Sequence, residues 1–343
     1  MTRSLNSALI SCDPYHYHLY CNFLSLLLFL THVFCYNTCM ENATDKRKAV
    51  ILGGGAIGSV IAAALAQKAE LAPVLVGRRD HVRAILNCGL TVEGMFEHPQ
   101  RLEALEAIDR SLDDTLLVVT VKATGLEAAL QAICGFLRPT TAVLLLQNGY
   151  GIKERALKTL RAATVRPENV FAGIVAMGAT VIAPGHVRCF GGNIRVEPAF
   201  VATPFFARLQ GLAIQVAESR NIQKDLWTKL LVNAVINPLS VLLQGHNRLI
   251  AEKRFDSLKE PILAEGRAVA AAEGVELKVD ASFVNRFVTS DNITSMLQDF
   301  RRGRPTEIDF INGAIAELGG KHGIPTPVNG YVTALIHALE ALR

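Results

Sequence analysis

The sequence predicts an α/β protein in two parts, a strand-and-helix N-terminal part followed by an all-α C-terminal part. Three observations lead to this prediction. A glycine-rich turn separates a strand from a helix near residue 53, short apolar runs alternate with helical stretches after it, and no strand-like run follows Asn221. A chain of 343 residues also suits two domains, at roughly 100–200 residues per domain.

The overall composition is that of a globular protein. Half of the residues are hydrophobic and 19% are charged, which argues against intrinsic disorder. The formal net charge is +4, and no stripe of basic residues interleaved with aromatic ones accompanies it. We therefore expect no nucleic-acid partner.

Residues 1–45 differ from the rest of the chain. They hold only four charged side chains but four of the seven cysteines, whereas the other 298 residues carry 34 basic and 28 acidic side chains. The apolar run Leu19–Tyr36 approaches the roughly 20 residues that a membrane span needs, but polar residues interrupt it. Three interpretations stay open: a disordered or mis-started extension with the true start at Met40, a signal anchor, and a metal or redox segment. We favour the first and expect a cytoplasmic protein.

The first regular element is a glycine-rich turn in the setting of a dinucleotide site. Val50–Leu52 predicts a strand, a helical stretch runs to Ala66, and the spacing G-x-G-x-x-G lies between them. The first glycine permits the tight turn, the second lets the backbone approach a pyrophosphate, and the third lets the helix pack on the strand. The sequence thus predicts a Rossmann-type domain whose cofactor contacts include Gly53, Gly55, Ala56, Ile57 and Gly58.

The next strand predicts which dinucleotide binds. Pro73–Val76 leads into Gly77, Arg78 and Arg79. An NAD enzyme usually carries an acid near this point to bind the ribose 2′-hydroxyl, whereas arginines accommodate the 2′-phosphate of NADP. We expect NADP, contacted by Arg78. Asp80 follows one position later, and an ordinary solvated basic turn is the alternative.

Two further strands place polar residues at the same edge of the sheet. Leu116–Val121 and Ala142–Leu146 predict buried strands, with a helix over Leu126–Phe136 between them. Lys122 and Asn148 come directly after these strands, and ligands bind beyond the carboxyl ends of parallel strands. We expect both side chains to contact the cofactor. A surface helix cap for the lysine and a plain turn for the asparagine are the alternatives.

The remaining pattern sets the domain boundaries. Val170–Met177 and Gly185–Val196 predict strands that extend the sheet, and Phe205–Ser219 predicts a helix. The predicted organisation is a leader over residues 1–46, a Rossmann NADP-binding domain over 47–219 and a helical substrate domain over 220–343.

The first helix of the second part carries a polar face. Within the predicted helix Asp225–Leu243, Lys229, Asn233 and Asn237 are spaced i, i+4 and i+8, which places them on one face. Apolar residues surround them, and polar groups in such surroundings need partners. Pro238 is expected to kink or end the helix and to free a carbonyl nearby. A solvated polar stripe is the alternative to a functional site.

A second acidic candidate lies further along the chain. Thr306 and Asp309, three residues apart, predict a variant helix N-cap box that places Glu307 in the first helical turn. On spacing alone, an acid that compensates the helix dipole competes with a functional role for this glutamate.

Several stretches resemble the ketopantoate reductase (2-dehydropantoate 2-reductase) family. They are LWTKLLVNAVINPLSVLL, NITSMLQDFRRGRPTEIDFING and KHGIPTPVN, together with GGGAIG and QNGYG nearer the N-terminus. The resemblance covers about residues 48–343. It implies a Rossmann domain joined to an all-helical domain, with the active site in the cleft. It also implies reduction of ketopantoate to (R)-pantoate with NADPH, on the pathway to pantothenate and coenzyme A.

The resemblance also implies roles for individual residues. The catalytic lysine of the family matches Lys229, and its glutamate matches Glu307. Asn247 matches a further family asparagine, although Arg248 follows here in place of the usual glycine. The implied substrate-binding residues are Asn233, Asn237, Asn292 and Ser295, and the implied cofactor-binding residues are Lys122, Asn148 and a basic residue within Arg78-Arg79. No metal is implied.

The expected mechanism is hydride transfer from NADPH to the keto carbon, with Lys229 as an ammonium that donates a proton to the developing alkoxide. Glu307 would hold the hydroxyl group of the small-molecule substrate. Two alternatives stay open: a reductase of another small 2-keto acid, and a catalytically silent NADPH-binding sensor. A homodimer is the oligomeric candidate.

Overall fold

The computed structural model describes residues 49–288 and 291–343. The predicted leader over residues 1–46, with Leu19–Tyr36 and Met40, lies outside the described residues. Among the helices of the described ranges, none combines the length and the apolar character that crossing a membrane requires.

The described residues form one nine-stranded sheet. Its strands are β1 (Ala49–Leu52), β2 (Val74–Val76), β3 (Thr91–Glu93), β4 (Glu103–Leu105), β5 (Leu116–Val119), β6 (Ala142–Leu145), β7 (Val170–Ala183), β8 (His186–Val196) and β9 (Gln215–Glu218). The order is β3-β8-β7-β6-β5-β1-β2-β4, and β9 pairs with β8. These strands pair in parallel except in the β7–β8 hairpin. The carboxyl ends of β1, β2, β5 and β6 therefore share one edge, which we call the carboxyl edge.

Helices cover both faces of the sheet. They are α1 (Ala56–Leu65), α2 (Arg79–Cys88), α3 (Leu126–Ile133), α4 (Ile152–Thr159), α5 (Pro198–Val201) and α6 (Pro204–Leu209). Alternate residues of β1 enter different cores: Ile51 packs with residues of α1, whereas Val50 packs with residues of α3 and α4. A strand that is buried on both faces has an unbroken run of apolar residues. This explains the sequences of β1 (AVIL) and β5 (LLVV).

After β9 the described residues are helical. The helices are α7 (Ile222–Leu242), α8 (Asn247–Ile250), α9 (Asp256–Ala272), α10 (Ala281–Phe287), α11 (Ser295–Arg301), α12 (Asn312–His322) and α13 (Pro327–Ala341). Their shared core surrounds the fully buried Trp227 of α7. The predicted fold class, an α/β Rossmann-type part followed by an all-α part, is confirmed.

The helix predicted over Phe205–Ser219 is wrong for its second half. The helix α6 ends at Leu209, and Gly211 follows with φ of +72°, a left-handed conformation that turns the chain. The chain then enters β9, where Val216 is buried and pairs with Ile194 of β8. The free edge of β8 therefore decides the conformation here, over the helical propensity of the segment.

Pro238 does not end the helix that contains it. The helix α7 continues to Leu242, with the proline inside it. Proline removes one helical hydrogen bond, and the affected carbonyl belongs to Ala234, four residues earlier. Asn312 Nδ2 donates to that oxygen at 3.0 Å. The expected free carbonyl is present, and a partner from another helix allows the helix to continue.

Candidate active site

The glycine turn after β1 is shaped by contacts that exclude side chains at two positions and leave the third open. Gly53 has φ of +125°, and a Cβ there would lie 2.6 Å from the backbone nitrogen of Val121. A Cβ on Gly58 would lie 2.0 Å from the Gly53 carbonyl oxygen. Gly55 has no atom within 4 Å of its Cβ position, so the surface there is open.

The same turn leaves its backbone donors exposed. The helix α1 begins after Gly55 with no side-chain cap, and its first turn, which includes Ala56 and Ile57, contains no acid. An uncapped helix N-terminus offers free N–H groups and a positive dipole end to an anion. The residues of the turn therefore fit the pyrophosphate of a dinucleotide.

A buried histidine packs against the glycine turn after β1. Gly185 N–H donates to His81 Nδ1 at 3.0 Å, so the other ring nitrogen carries the proton and bonds to Ser59 Oγ at 2.9 Å. Burial lowers the pKa of His81, which keeps the imidazole neutral. The ring also lies 3.3 Å from the Cβ position of Gly54. His81 is a site-supporting residue that the sequence reasoning missed.

The two arginines after β2 face solvent. Arg79 Nε lies 3.8 Å from Glu106 Oε1, with both side chains more than half exposed. Arg78 is exposed at the start of α2 and forms no ion pair with any residue that the structure describes. Both guanidinium groups are therefore accessible next to the glycine turn, because Gly77, just before them, contacts Gly54.

Lys122 joins the sheet to the helical part through an ionic cluster. Its Nζ lies 2.9 Å from Asp299 Oδ2 and 3.6 Å from Glu307 Oε2. Arg304 donates two hydrogen bonds to the other oxygen of Asp299, at 3.0 and 2.6 Å. Burial lowers the pKa of Lys122, but Glu307 and Asp299 together outweigh it, so the pKa is raised and the amine stays charged.

Glu307 is buried between the two parts of the chain. Its Oε1 accepts a hydrogen bond from the Ala123 N–H at 2.9 Å. The predicted N-cap box around it is wrong, because only a short 3₁₀ turn, Ile308–Phe310, follows. Asp309 does not cap that turn and instead pairs with His337 at 2.8 Å. The ion pair and the contact with Ala123, both long-range, decide the local conformation.

Lys229 of α7 is half-buried, and its amine has a single hydrogen-bond acceptor among the residues that the structure describes. Its Nζ donates to the Val175 carbonyl oxygen of β7 at 2.7 Å. Burial lowers the pKa of Lys229 to about 8, and the negative charge of Glu307 acts in the opposite direction. Glu307 therefore interacts electrostatically with both Lys122 and Lys229.

The asparagines predicted from α7 lie one and two turns beyond the lysine. Asn233 is half-buried and Asn237 is buried. Asn292 lies against β7, since its Nδ2 is 2.9 Å from the Cβ position of Gly178. A larger residue than glycine at 178 would displace that amide. Asn247 donates its backbone N–H to the Asn292 carbonyl at 2.9 Å, which ties the start of α8 to the same segment.

Ser295 is the first residue of α11, and its position is fixed from α7. Thr294 caps the helix by accepting from the Leu297 N–H at 3.0 Å. The hydroxyl groups of Thr294 and Ser240 are 2.6 Å apart, and Ser240 belongs to α7. The start of α11 is therefore held against the helix that carries Lys229.

Asn148 lies in the loop after β6, and that loop is attached to the helical part. Gly149 has φ of +102°, and a Cβ there would lie 2.6 Å from the Phe310 carbonyl oxygen. Tyr150 N–H donates to the same oxygen at 2.9 Å. The Tyr150 ring also contacts Trp227, with the ring centroids 4.8 Å apart. The loop thus lies between Phe310 and the helix of Lys229.

The structure brings part of the predicted set together. Lys122, Lys229 and Glu307 share one electrostatic cluster, whereas the two arginines lie at the turn after β2. Asp299 and Arg304 belong to the cluster but were not among the predicted site residues. One signal could have pointed to the aspartate, because Ser295 and Asp299 are four residues apart and share a helix face.

Models of one family match almost the whole described chain. The model described as ketopantoate reductase PanE/ApbA matches residues 49–198, and the model of its C-terminal part matches residues 221–340. The chain belongs to the ketopantoate reductase PanE/ApbA family. Both parts of the fold and the helix of Lys229 lie within the matched residues.

Relatives and solved structures agree with this membership. A 2-dehydropantoate 2-reductase of Pyrococcus abyssi is 32% identical over 306 residues, which cover 86% of this chain and 99% of the relative. One of Vibrio cholerae is 33% identical, with coverage of 85% and 97%. The structure of a PanE/ApbA family ketopantoate reductase from Ralstonia eutropha is 32% identical, with a TM-score of 0.74 and coverage of 85% and 98%. A D-mandelate dehydrogenase with NADH and anilino(oxo)acetate is 28% identical, with a TM-score of 0.77 and the same coverage.

Proposed function

We propose that the protein is an NADPH-dependent 2-dehydropantoate 2-reductase, which reduces ketopantoate to (R)-pantoate on the route to pantothenate and coenzyme A. The observation that carries the proposal is Lys229, whose amine donates to the Val175 carbonyl, interacts electrostatically with Glu307 and keeps two N–H donors for a substrate among the described contacts. The names of the relatives from Pyrococcus abyssi and Vibrio cholerae support the choice of substrate.

We assign cofactor binding to the residues at the carboxyl edge of the sheet. When bound, NADPH supplies the hydride that reduces the keto carbon. The open backbone at Gly55 and the first turn of α1 bind the pyrophosphate, and Arg78 contacts the 2′-phosphate through charge-assisted hydrogen bonds. Lys122 and Asn148 contact the cofactor from the ends of β5 and β6.

Lys229 is the proposed proton donor. A general acid works best when its pKa lies near the working pH, and burial brings this amine to about 8. The ammonium also stabilises the negative charge that develops on the substrate oxygen as the carbonyl is reduced. Among the described residues its one hydrogen-bond acceptor is the Val175 carbonyl, which fixes the amine and leaves two N–H donors for the substrate.

Glu307 is the proposed anchor for the substrate hydroxyl. One carboxylate oxygen accepts from the Ala123 N–H, and the other faces Lys122 at 3.6 Å, so it retains capacity to accept a further hydrogen bond. The remaining polar groups of the substrate are assigned to the predicted binding residues, Asn233, Asn237, Asn292 and Ser295.

The organisation of the protein is part of the proposal. We place the cofactor domain at residues 47–219 and the substrate domain at residues 220–343, and we expect a cytoplasmic protein with a homodimer as the oligomeric candidate. The cysteines in the part of the chain that the structure describes, Cys88, Cys134 and Cys189, are free, which agrees with a reducing compartment.

A second candidate is reduction of a different 2-keto acid. The similarity to D-mandelate dehydrogenase with bound NADH favours it, because mandelate is the 2-hydroxy acid of an aromatic keto acid. In that case the preferred substrate carries a larger side chain than ketopantoate, and NADH replaces NADPH.

One set of assays tests the proposal. Oxidation of NADPH and of NADH is measured with ketopantoate, 2-ketoisovalerate and phenylglyoxylate. We expect kcat/KM to be at least about 10-fold higher for ketopantoate, since the hydroxyl partners are unpaired with the other two acids. A preference for phenylglyoxylate selects the second candidate, and no turnover with any acid selects a cofactor-binding protein without catalysis.

An arginine variant tests the cofactor assignment in the same assay. Arg78→Ala should lower kcat/KM for NADPH about 10-fold and leave that for NADH unchanged, because only the charged contact to the 2′-phosphate is lost. Arg166→Ala is the matched control, since Arg166 is exposed before β7, at the opposite edge of the sheet. Equal losses with both cofactors would contradict the role of Arg78.

A further inference from the structure

The turn of α7 around Pro238 lacks one backbone hydrogen bond, and a side chain supplies the replacement. Proline has no N–H, so the Ala234 carbonyl loses its helical partner. Asn312 Nδ2 donates to the Ala234 oxygen at 3.0 Å, and Asn312 is completely buried at the start of α12. An unpartnered buried carbonyl is costly, so this contact makes the proline tolerable.

Asn312 is itself held by a chain of polar groups that runs through Asn329 of α13 to Glu265 of α9. Its Nδ2 also donates to Asn329 Oδ1 at 3.0 Å. Asn329 Nδ2 donates in turn to Glu265 Oε2 at 2.8 Å and to the Ile262 carbonyl at 3.1 Å. The Glu265 carboxylate accepts from the N–H groups of Val328 and Asn329, where the dipole of α13 favours a negative charge. Each amide nitrogen in the chain faces acceptors, so both amide orientations are determined.

A second contact fixes the other side of the same turn. Ser240 Oγ donates to the Asn237 carbonyl at 2.7 Å and bonds to Thr294 Oγ1 at 2.6 Å. The interrupted turn is therefore held from α12 through the Ala234 oxygen. The Asn237 oxygen is bonded within α7 by Ser240, whose hydroxyl also bonds to Thr294, the cap of α11. Both carbonyls lie within the stretch that carries the predicted substrate amides.

We propose that Asn312 is a positioning residue for substrate binding, which holds the Pro238 turn of α7 so that Asn233 and Asn237 present their carboxamides in one geometry. The inference rests on the proposed role of these two amides in binding the substrate. Asn233 directly precedes Ala234, and Asn237 lies within one helical turn after it. A displaced Ala234 carbonyl therefore moves the backbone of both asparagines. Lys229 lies more than a turn before Ala234 and keeps its own contact with β7.

The test is a double-mutant cycle on substrate affinity. Asn312→Ala should raise KM for ketopantoate on the order of 10-fold, because Asn233 and Asn237 no longer present their carboxamides to the substrate in one geometry. The value of kcat and the KM for NADPH should stay within about twofold. Pro238→Ala supplies the missing N–H at position 238, so the variant with both changes should recover most of the substrate affinity. General loss of packing would not be repaired in this way.

Two further variants distinguish the proposed positioning role from a general loss of stability. Asn285→Ala removes the same kind of side chain from a different polar cluster, around Lys259, and should lower the melting temperature without changing KM. Glu265→Gln perturbs the chain three hydrogen bonds from α7 and should show the same pattern as Asn312→Ala at a smaller size. It provides the measurement if Asn312→Ala does not fold.

Hydrogen exchange without substrate gives a readout that does not depend on the reaction. Amides just after Pro238 in α7 should exchange faster in Asn312→Ala, and Pro238→Ala should reverse the change. An unchanged KM with a lowered melting temperature, or KM increases that simply multiply in the double variant, would overturn the proposal. If the wild type reduces no ketopantoate, the proposed function fails, and the exchange result alone then supports or overturns the role of Asn312 in holding the turn.

Discussion

Two lysines in the helical part, the fully buried Lys259 and the half-buried Lys229, differ in how their amines are bonded. Lys259 of α9 has no exposed surface, and its Nζ donates to the Glu252 carbonyl at 2.9 Å, to Asp256 Oδ1 at 3.1 Å and to Asn285 Oδ1. An ammonium has three donors, so all of them are used. This amine holds the start of α9 against α10 and has no donor left for a ligand.

Lys229 of α7 has one acceptor where Lys259 has three, counting only the described residues. It bonds to the Val175 carbonyl, and its charge is balanced only through space by Glu307. Burial then lowers its pKa to about 8. Burial alone therefore does not make a lysine suitable for acid catalysis. The unused donors and the incomplete compensation of charge distinguish the proposed catalytic amine from the structural one.

The largest effect predicted from this comparison is the loss of catalysis on removal of Lys229. Lys229→Ala should lower kcat by ~10²–10⁴-fold, the usual contribution of a positioned general acid. The melting temperature should change little, because an incompletely compensated charge contributes little to stability. Steady-state kinetics and thermal unfolding followed by circular dichroism measure the two quantities. Near-normal turnover in this variant would exclude the proposed role.

Removal of Lys259 should lower the stability of the protein and leave catalysis unchanged, the opposite of what we expect for Lys229. Lys259→Met should lower the free energy of unfolding by about 2 kcal/mol, because the Glu252 carbonyl and the Asp256 carboxylate lose a buried donor. The kinetic constants of the folded enzyme should not change. Urea unfolding measures the effect. Lys321→Met is the control: its exposed pair with Glu317 should contribute less than about 1 kcal/mol. Equal losses in the two variants would show that the Lys259 cluster is not structural.

Features set by local periodicity could be predicted from the sequence. The glycine turn lies between its strand and helix as expected, and Lys122 and Asn148 follow adjacent parallel strands. Contacts between distant segments could not be predicted. Glu307 accepts from Ala123, 184 positions away, and Asp299 pairs with Lys122, because two parts of the fold meet there. No spacing in the sequence specifies such a contact.

The wrong predictions have the same cause. The segment after Leu209 has helical composition, but an open edge of β8 offers it a strand partner. The carbonyl expected to be freed by Pro238 is present, but the proline does not end α7, because Asn312 supplies the missing donor from 78 positions away. Thr306 and Asp309 have the spacing of a helix N-cap box, but the Asp309 carboxylate pairs with His337 instead. In each case a tertiary contact outweighs a local preference of modest size.

The central claim is that Lys229 acts as an ammonium, and the pH dependence of kcat/KM for ketopantoate tests it most directly, because this ratio reports the pKa of the enzyme before the substrate binds. The variable is the rate of NADPH oxidation with ketopantoate well below its KM, from about pH 6 to about pH 10. A proton donor must be protonated, so kcat/KM should be constant at low pH and fall tenfold per pH unit above a pKa near 8. A value of kcat/KM that stays constant to the highest pH, or that rises as the amine loses its proton, would contradict the account.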